Sequence, residues 1–295
     1  MKFGQLKSLS LIHISGDDAA SFLQGQLTTD VMALNKNWQL SGYCNPKGRL
    51  LIILYLFKDN NDQFYALLPT ELSDSIVKRL RMYIMRSKVT ISQLTESTIY
   101  AFSKIEDLFS IKPELKNTIE SNKIHSAFNL EDNYVLTNKN DHALLITNNK
   151  KINDVQSNFD ETWQQLNIQS GIPAITANNS EKFIPQMVNL DLLEGINFKK
   201  GCYTGQEIIA RMHYLGNLKQ RMFVCDIAET LDTYEAGDKI IRKNPESITT
   251  AGYILNAIAG HSQCLAVLKI QDSDEHLFLE NGISLSKSSK QPYTI

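Results

Sequence analysis

Cysteine is scarce in this 295-residue chain, occurring only at Cys44, Cys202, Cys225 and Cys264. The four are widely spaced and form neither a CxxC pair nor a Cys/His cluster, so neither a disulfide framework nor a structural zinc site is expected. Isolated thiols of this kind fit a reduced, cytoplasmic setting. Long apolar runs are missing as well. The longest, Leu50 to Phe57, has 8 residues, against the roughly 20 needed to cross a bilayer. The opening stretch MKFGQLKSLSLIHISG lacks an uninterrupted apolar core and a small-residue cleavage site, so no signal peptide is expected. Neither sign of charge is in excess: 30 Lys and Arg face 32 Asp and Glu, a net charge of −2. Bulk attraction to nucleic acid is therefore not expected, which leaves only a local basic groove.

What is present reads as an α+β protein of two or three domains. WQLSGYCNPKGRLLIILYLF (Trp38 to Phe57) has the form of a β-hairpin. Asn45 suits the first turn position, Pro46 presets φ at the second, and Gly48 tolerates positive φ at the exit. QFYALLP follows as a strand, and SDSIVKRLRMYIMRS places Ile76, Val77, Leu80, Tyr83 and Ile84 on one helical stripe. KVTI, STIYAFS, NYVLT and HALLIT read as further strands, with a short helix over IEDLFSI. Asp160 is placed to cap a helix over ETWQQLNIQS, with Gly171 at its exit and Pro173 just beyond. From about Gly216 short strands separated by Gly, Asp and Ser turns predict a small β-barrel or sandwich.

The chemistry concentrates in GINFKKGCYTGQEIIAR (residues 195–211). Thr204-Gly205-Gln206-Glu207 has the capping-box form, which makes Thr204 the expected N-cap of a helix. Cys202 would then lie two residues outside a helix N-terminus, where N–H groups and the macrodipole favour negative charge by about 0.3–1 kcal/mol. Lys199 and Lys200 add to that field. Cys202 is thus either a reactive or metal-holding thiol, or a small buried residue in a Gly-rich turn. Cys44, Cys225 and Cys264 sit in strand-like apolar contexts and read as core. His213, the nearest histidine, is expected to be exposed or capping. Lys47 and Arg49 at the hairpin turn, with Arg79, Arg81 and Arg86 on the helix, are either anion ligands or solvated charges. Trp163 is either core or a stacking surface for a flat heterocycle.

The segment GIPAITANNSEKFIPQMVNLDLLEGINFKKGCYTGQEIIARMHYLGNLKQR, with KGCYTGQE as its most specific element, resembles the signature region of the YgfZ family. FLQGQLTTDV and NPKGRLL are similar to the same family and to its relative, the T-protein of glycine cleavage. The resemblance covers most of the chain. It implies a multidomain T-protein-like fold with mixed and antiparallel sheets around a central channel. The implied division is a discontinuous first domain (1–48 and 160–215), an inserted ferredoxin-like α+β domain (49–159) and a C-terminal barrel (216–295).

The resemblance also implies tetrahydrofolate as the bound cofactor. The implied role is in making or repairing iron–sulfur clusters, with client enzymes that include a radical enzyme methylthiolating tRNA. No direct contact of the chain with nucleic acid is implied. The family's important cysteine falls on Cys202, with Lys200 beside it. A folate-linked tryptophan corresponds to Trp163, while Leu9 stands where a second one is expected. T-protein relatives carry an Asp pair a few residues after the hairpin turn, and Ile52 and Ile53 occupy those places here. An aliphatic side chain cannot steer the folate amine or stabilise an iminium-like cation. That loss argues against aminomethyl transfer, and the alternative kept beside the leading reading is a tetrahydrofolate-dependent aminomethyltransferase or demethylase.

Overall fold

The computed structural model describes every residue except 1–2, 36, 121–125, 131–132, 139, 149–151, 153–157, 231–234, 245–246 and 295. In chain order the first elements are β1 (Phe3–Leu6), β2 (Leu9–Ser15), α1 (Ala19–Gln24), β3 (Gln39–Cys44), β4 (Leu50–Lys58) and β5 (Phe64–Pro69). Then come α2 (Thr70–Met82), β6 (Thr90–Gln93), β7 (Thr98–Phe102), α3 (Ile105–Ile111), α4 (Leu115–Glu120), β8 (Ala127–Leu130), β9 (Asn133–Thr137) and β10 (Ala143–Thr147). After α5 (Asp160–Gln169) and α6 (Gln206–Tyr214) the chain is strand-rich: β11 (Gln220–Ile227), β12 (Lys239–Asn244), β13 (Ser247–Ala257), β14 (Gln263–Lys269), β15 (Leu277–Leu279) and β16 (Ser284–Lys287). Two compact units result. One comprises Met1–Ser41 and Leu54–Trp163, the other Gly42–Ile53 and Gln164–Ile295.

The expected mixed α+β architecture with antiparallel sheets is present. One five-stranded sheet has the order β1-β7-β10-β9-β8, the other β3-β4-β5-β2-β6. In the first, Tyr100, Phe102, Val135 and Leu145 pack with Leu108 of α3 and Ile119 of α4 into a single core. β4 buries seven of its nine residues, because a near-continuous apolar run has no polar face to turn to water.

α2 packs against β2, β5 and β6 and buries Ile76, Val77 and Leu80 of the expected stripe. The stripe ends there. Helix α2 stops at Met82, the Tyr83 N–H turns back to the Leu80 carbonyl at 3.0 Å, and Tyr83 is exposed. Asp160 opens α5 rather than capping it: its carboxylate accepts the backbone N–H groups of Lys7 and Ser8, at 3.1 and 2.9 Å. Gly171 leaves α5 at φ 65°, the left-handed exit that glycine makes without strain.

The choice between barrel and sandwich resolves to a closed barrel, in the order β11-β14-β13-β12-β15-β16. Alternate residues such as Phe223, Cys225, Ile240, Ile254, Leu268 and Leu285 fill its interior, as the two-residue period of a strand requires. Register shifts at Ile240/Ile241 and Ile254/Asn256 bend β12 and β13, the usual device for closing a small sheet.

Candidate functional site

The candidate site lies in the second unit and is assembled by Asn45. This buried amide accepts the N–H groups of Lys47 and Arg49 on Oδ1, at 2.9 and 3.0 Å. Its Nδ2 donates to Glu181 Oε2 at 2.7 Å, while its carbonyl accepts from the Gly48 N–H at 2.9 Å. The turn is therefore closed twice, by backbone and by side chain. The loop carrying Glu181 is stitched to β4 in turn: Glu181 N–H to Leu50 O at 2.7 Å, and Leu50 N–H to Phe183 O at 2.8 Å. The Arg49 guanidinium donates through one nitrogen to the Lys182 carbonyl at 2.5 Å.

These pieces border a cleft of about 610 Å³ lined by Lys47, Arg49, Lys182, Glu181, Tyr253 and Gly237, among others. Lys182 Nζ lies 3.0 Å from where a Cβ on Gly237 would stand, so glycine there leaves room for the ammonium. Three cations against one carboxylate, with that carboxylate already accepting from Asn45, make the cleft suited to an anion. Lys47 and Arg49 were legible as cations at a turn. Lys182 lies within the signature-like segment without being marked there as a cleft cation, Tyr253 belongs to no motif, and only the fold brings the two to the hairpin.

The cysteine loop is seated on the same hairpin. Gly48 adopts φ 68° and Gly205 φ 83°. A Cβ on Gly205 would stand 2.6 Å from the Asn45 carbonyl, and one on Gly48 would stand 3.0 Å from Ile208 Cβ. The N-cap of α6 is therefore Gly205, without a side-chain cap bond. The expected capping box does not form, because this close approach demands a left-handed glycine one residue later than Thr204. Cys202 consequently sits three residues before the cap, beyond the first turn in which the macrodipole acts. Its thiol is exposed, whereas Cys44, Cys225 and Cys264 are all buried. The packing alternative for Cys202 is thereby removed, and the core reading of the other three holds.

Around Cys202 the loop is ordered by Asn197, whose Oδ1 accepts the N–H groups of Lys199 and Lys200 at 2.8 and 3.0 Å. Lys200 Nζ lies 5.2 Å from the centre of the Tyr203 ring. Burial holds the Tyr203 phenol far above its ordinary range, and nearby Cys44 pushes the same way. Burial does the same to the Cys44 thiol. Both therefore stay neutral. His213 is exposed, as expected, with its ring stacked on Phe198 at 3.7 Å. Trp163 belongs to the first unit, exposes 4% of its surface and meets His142 edge-on at 6.2 Å. Ile52 and Ile53 are buried. Among the described residues no three His, Cys, Asp or Glu side chains converge as a metal site, so Cys202 stands as a single sulfur donor.

No family model matches the chain. Individual relatives do. A tRNA-modifying protein YgfZ of Enterobacter sp. (strain 638) is 33% identical over 263 residues, covering 86% of this chain and 80% of the relative. The chain belongs to the YgfZ family. Another YgfZ protein, from Blochmanniella pennsylvanica, is 29% identical over 280 residues, covering 87% of this chain and 82% of the relative. An uncharacterized protein of Haemophilus influenzae is 30% identical over 303 residues and covers essentially the whole of both chains. Among solved structures, the glycine cleavage system aminomethyltransferase T of Bartonella henselae superposes with a TM-score of 0.78 at 13% identity, covering 99% of this chain and 86% of that one. This YgfZ-family chain thus has the T-protein fold that the sequence resemblance implied. Among the described residues no helix is long and apolar enough to cross a membrane.

Proposed function

We propose that this YgfZ-family chain is a cytoplasmic folate-binding factor that supports assembly or repair of iron–sulfur clusters, and through them tRNA methylthiolation. Cys202 is its working thiol. The observation that carries this reading is that Cys202 alone of the four sulfurs is exposed, on a loop seated against the turn that bears Lys47 and Arg49. One sulfur cannot hold a cluster that takes about four thiolates, so the cluster belongs to the client. Cys202 then acts by exchange. Its thiolate attacks the outer sulfur of a donor persulfide, the S–S bond breaks, and the donor departs as a thiolate while Cys202 carries the sulfur. A mixed disulfide with the client forms when a client thiolate attacks the inner sulfur of the Cys202 persulfide, the S–S bond breaks and hydrosulfide departs. Lys200, two residues before the thiol in the chain, is the cation assigned to stabilise the anion that develops.

Tetrahydrofolate would supply a reduced one-carbon carrier, whose glutamate carboxylates suit Lys47, Arg49 and Lys182. Likeness to an aminomethyltransferase fold favours a second reading, one-carbon transfer. The buried Ile52 and Ile53 leave no carboxylate at that place to steer it. Calorimetry with tetrahydrofolate tests the proposal: binding weakened about tenfold or more by Lys47→Ala with Arg49→Ala, and no release of formaldehyde from folate-linked donors by purified protein. Sustained turnover would favour the transferase, and unchanged binding in the double variant would remove the cleft from the folate site.

A further inference from the structure

Beyond the cleft and the thiol, the second unit exposes a set of rings that nothing above employs. Phe198 and His213 stack with centroids 3.7 Å apart and planes 11° from parallel. Tyr214 stands edge-on to both, at 6.4 and 4.7 Å. Its hydroxyl reaches toward the Phe198 carbonyl at 3.5 Å, which fixes the ring against the loop. The cluster is open to solvent: Tyr214 is 62% exposed and the following Leu215 84%. A stack this regular at the surface costs apolar exposure without contributing to a core.

Cations are interleaved with these rings. Lys199 and Lys200 follow Phe198, ordered by the Asn197 turn. Arg211 precedes Tyr214 by three residues on α6 and so shares its face. The whole chain carries a net charge of −2, yet residues 192–219 hold four Lys or Arg against only Glu194 and Glu207. Exposed His213 and Tyr214, backed by the half-buried Phe198 and flanked by cations, match the arrangement on which single-stranded nucleic acid rests, bases on the π-faces and phosphates on the ammonium and guanidinium groups. Neither a folate nor a sulfur-carrying thiol calls for it. A protein partner would be drawn by the same apolar rings, but the excess of cations over carboxylates within this segment favours a polyanion.

We propose that Phe198, His213 and Tyr214, with Lys199, Lys200 and Arg211, form a platform for single-stranded RNA. It binds without sequence preference, and the local charge outweighs the slightly acidic chain as a whole.

Fluorescence anisotropy of the full chain with a labelled 12-nucleotide oligo(A) RNA tests this. Binding in the micromolar range at 50 mM salt is expected, with a log–log salt slope of about −2 for three neutralised phosphates. Tyr214→Leu keeps the apolar area but removes the ring, and should weaken binding roughly tenfold or more. Lys199→Ala should weaken it and make the slope shallower by about 0.7. Both positions are exposed, so unchanged circular dichroism and thermal melts are expected and serve as the folding control. Absence of binding at 50 mM salt would overturn the proposal, as would binding that Tyr214→Leu leaves intact. Self-association of the chain that depends on Tyr214, with no RNA bound, would assign the platform to a protein contact and likewise overturn it.

Discussion

At the scale of single residues, burial separates the four thiols more sharply than any pattern around them. Cys225 and Cys264 are register partners across β11 and β14, sealed in the barrel core, and Cys44 is sealed in β3. A thiol-alkylating reagent applied to the folded chain should therefore label Cys202 quickly and the others only on unfolding, since the thiolate must be reached to react. Peptide mapping by mass spectrometry reads this directly. Comparable labelling of Cys44 would contradict the packing described.

The same burial sets a pH dependence. Cys44 and Tyr203 keep their protons in the native state far above their ordinary values of 9.0 and 10.0. Above those values the unfolded chain loses protons that the folded chain retains. Their contribution to stability is thus fully present below about pH 9 and falls as pH rises further. Urea midpoints measured from pH 7 to 10.5 should hold steady and then decline, and the Cys44→Ala chain should decline less steeply between pH 9 and 10, where buried Cys225, also raised, still contributes.

At the scale of elements, the meeting of the Asn45–Gly48 turn with the start of α6 fixes where the thiol loop sits. Gly205→Ala forces a left-handed alanine and drives a Cβ to 2.6 Å from the Asn45 carbonyl. A loss of about 1–3 kcal/mol is expected. Thr204→Ala should cost under about 0.5 kcal/mol, as at an ordinary surface position, whereas a true N-cap would cost about 1. Chemical denaturation of the two variants separates the geometries.

This junction also marks how far the sequence could be read. The hairpin was legible because Asn-Pro-Lys-Gly between two β-rich runs satisfies local turn chemistry. The barrel was legible from its spaced short strands. The cap was not, because the Thr-x-x-Glu pattern describes a helix start that is free to choose its own geometry. Here a strand turn more than 150 residues earlier demanded a glycine instead. Tyr83 failed likewise: the helical period continues past Met82, but the helix does not. Neither periodicity nor turn chemistry singles out Lys182 or Tyr253, which border the cationic cleft, so only tertiary contact reveals them.

At the scale of the whole molecule, this YgfZ-family chain has the fold of a glycine cleavage aminomethyltransferase. Ile52 and Ile53, at the places where the family resemblance implied an Asp pair in T-proteins, are both packed away from solvent. The exposed thiol, Cys202, lies on a loop outside α6. This account makes Cys202 necessary for the function yet irrelevant to the fold. The most direct test replaces the resident gene with one encoding Cys202→Ser and measures methylthiolated tRNA by mass spectrometry, alongside the level of the protein. The account predicts normal protein abundance with methylthiolation reduced to that of cells lacking the protein. Methylthiolation at the wild-type level would contradict it.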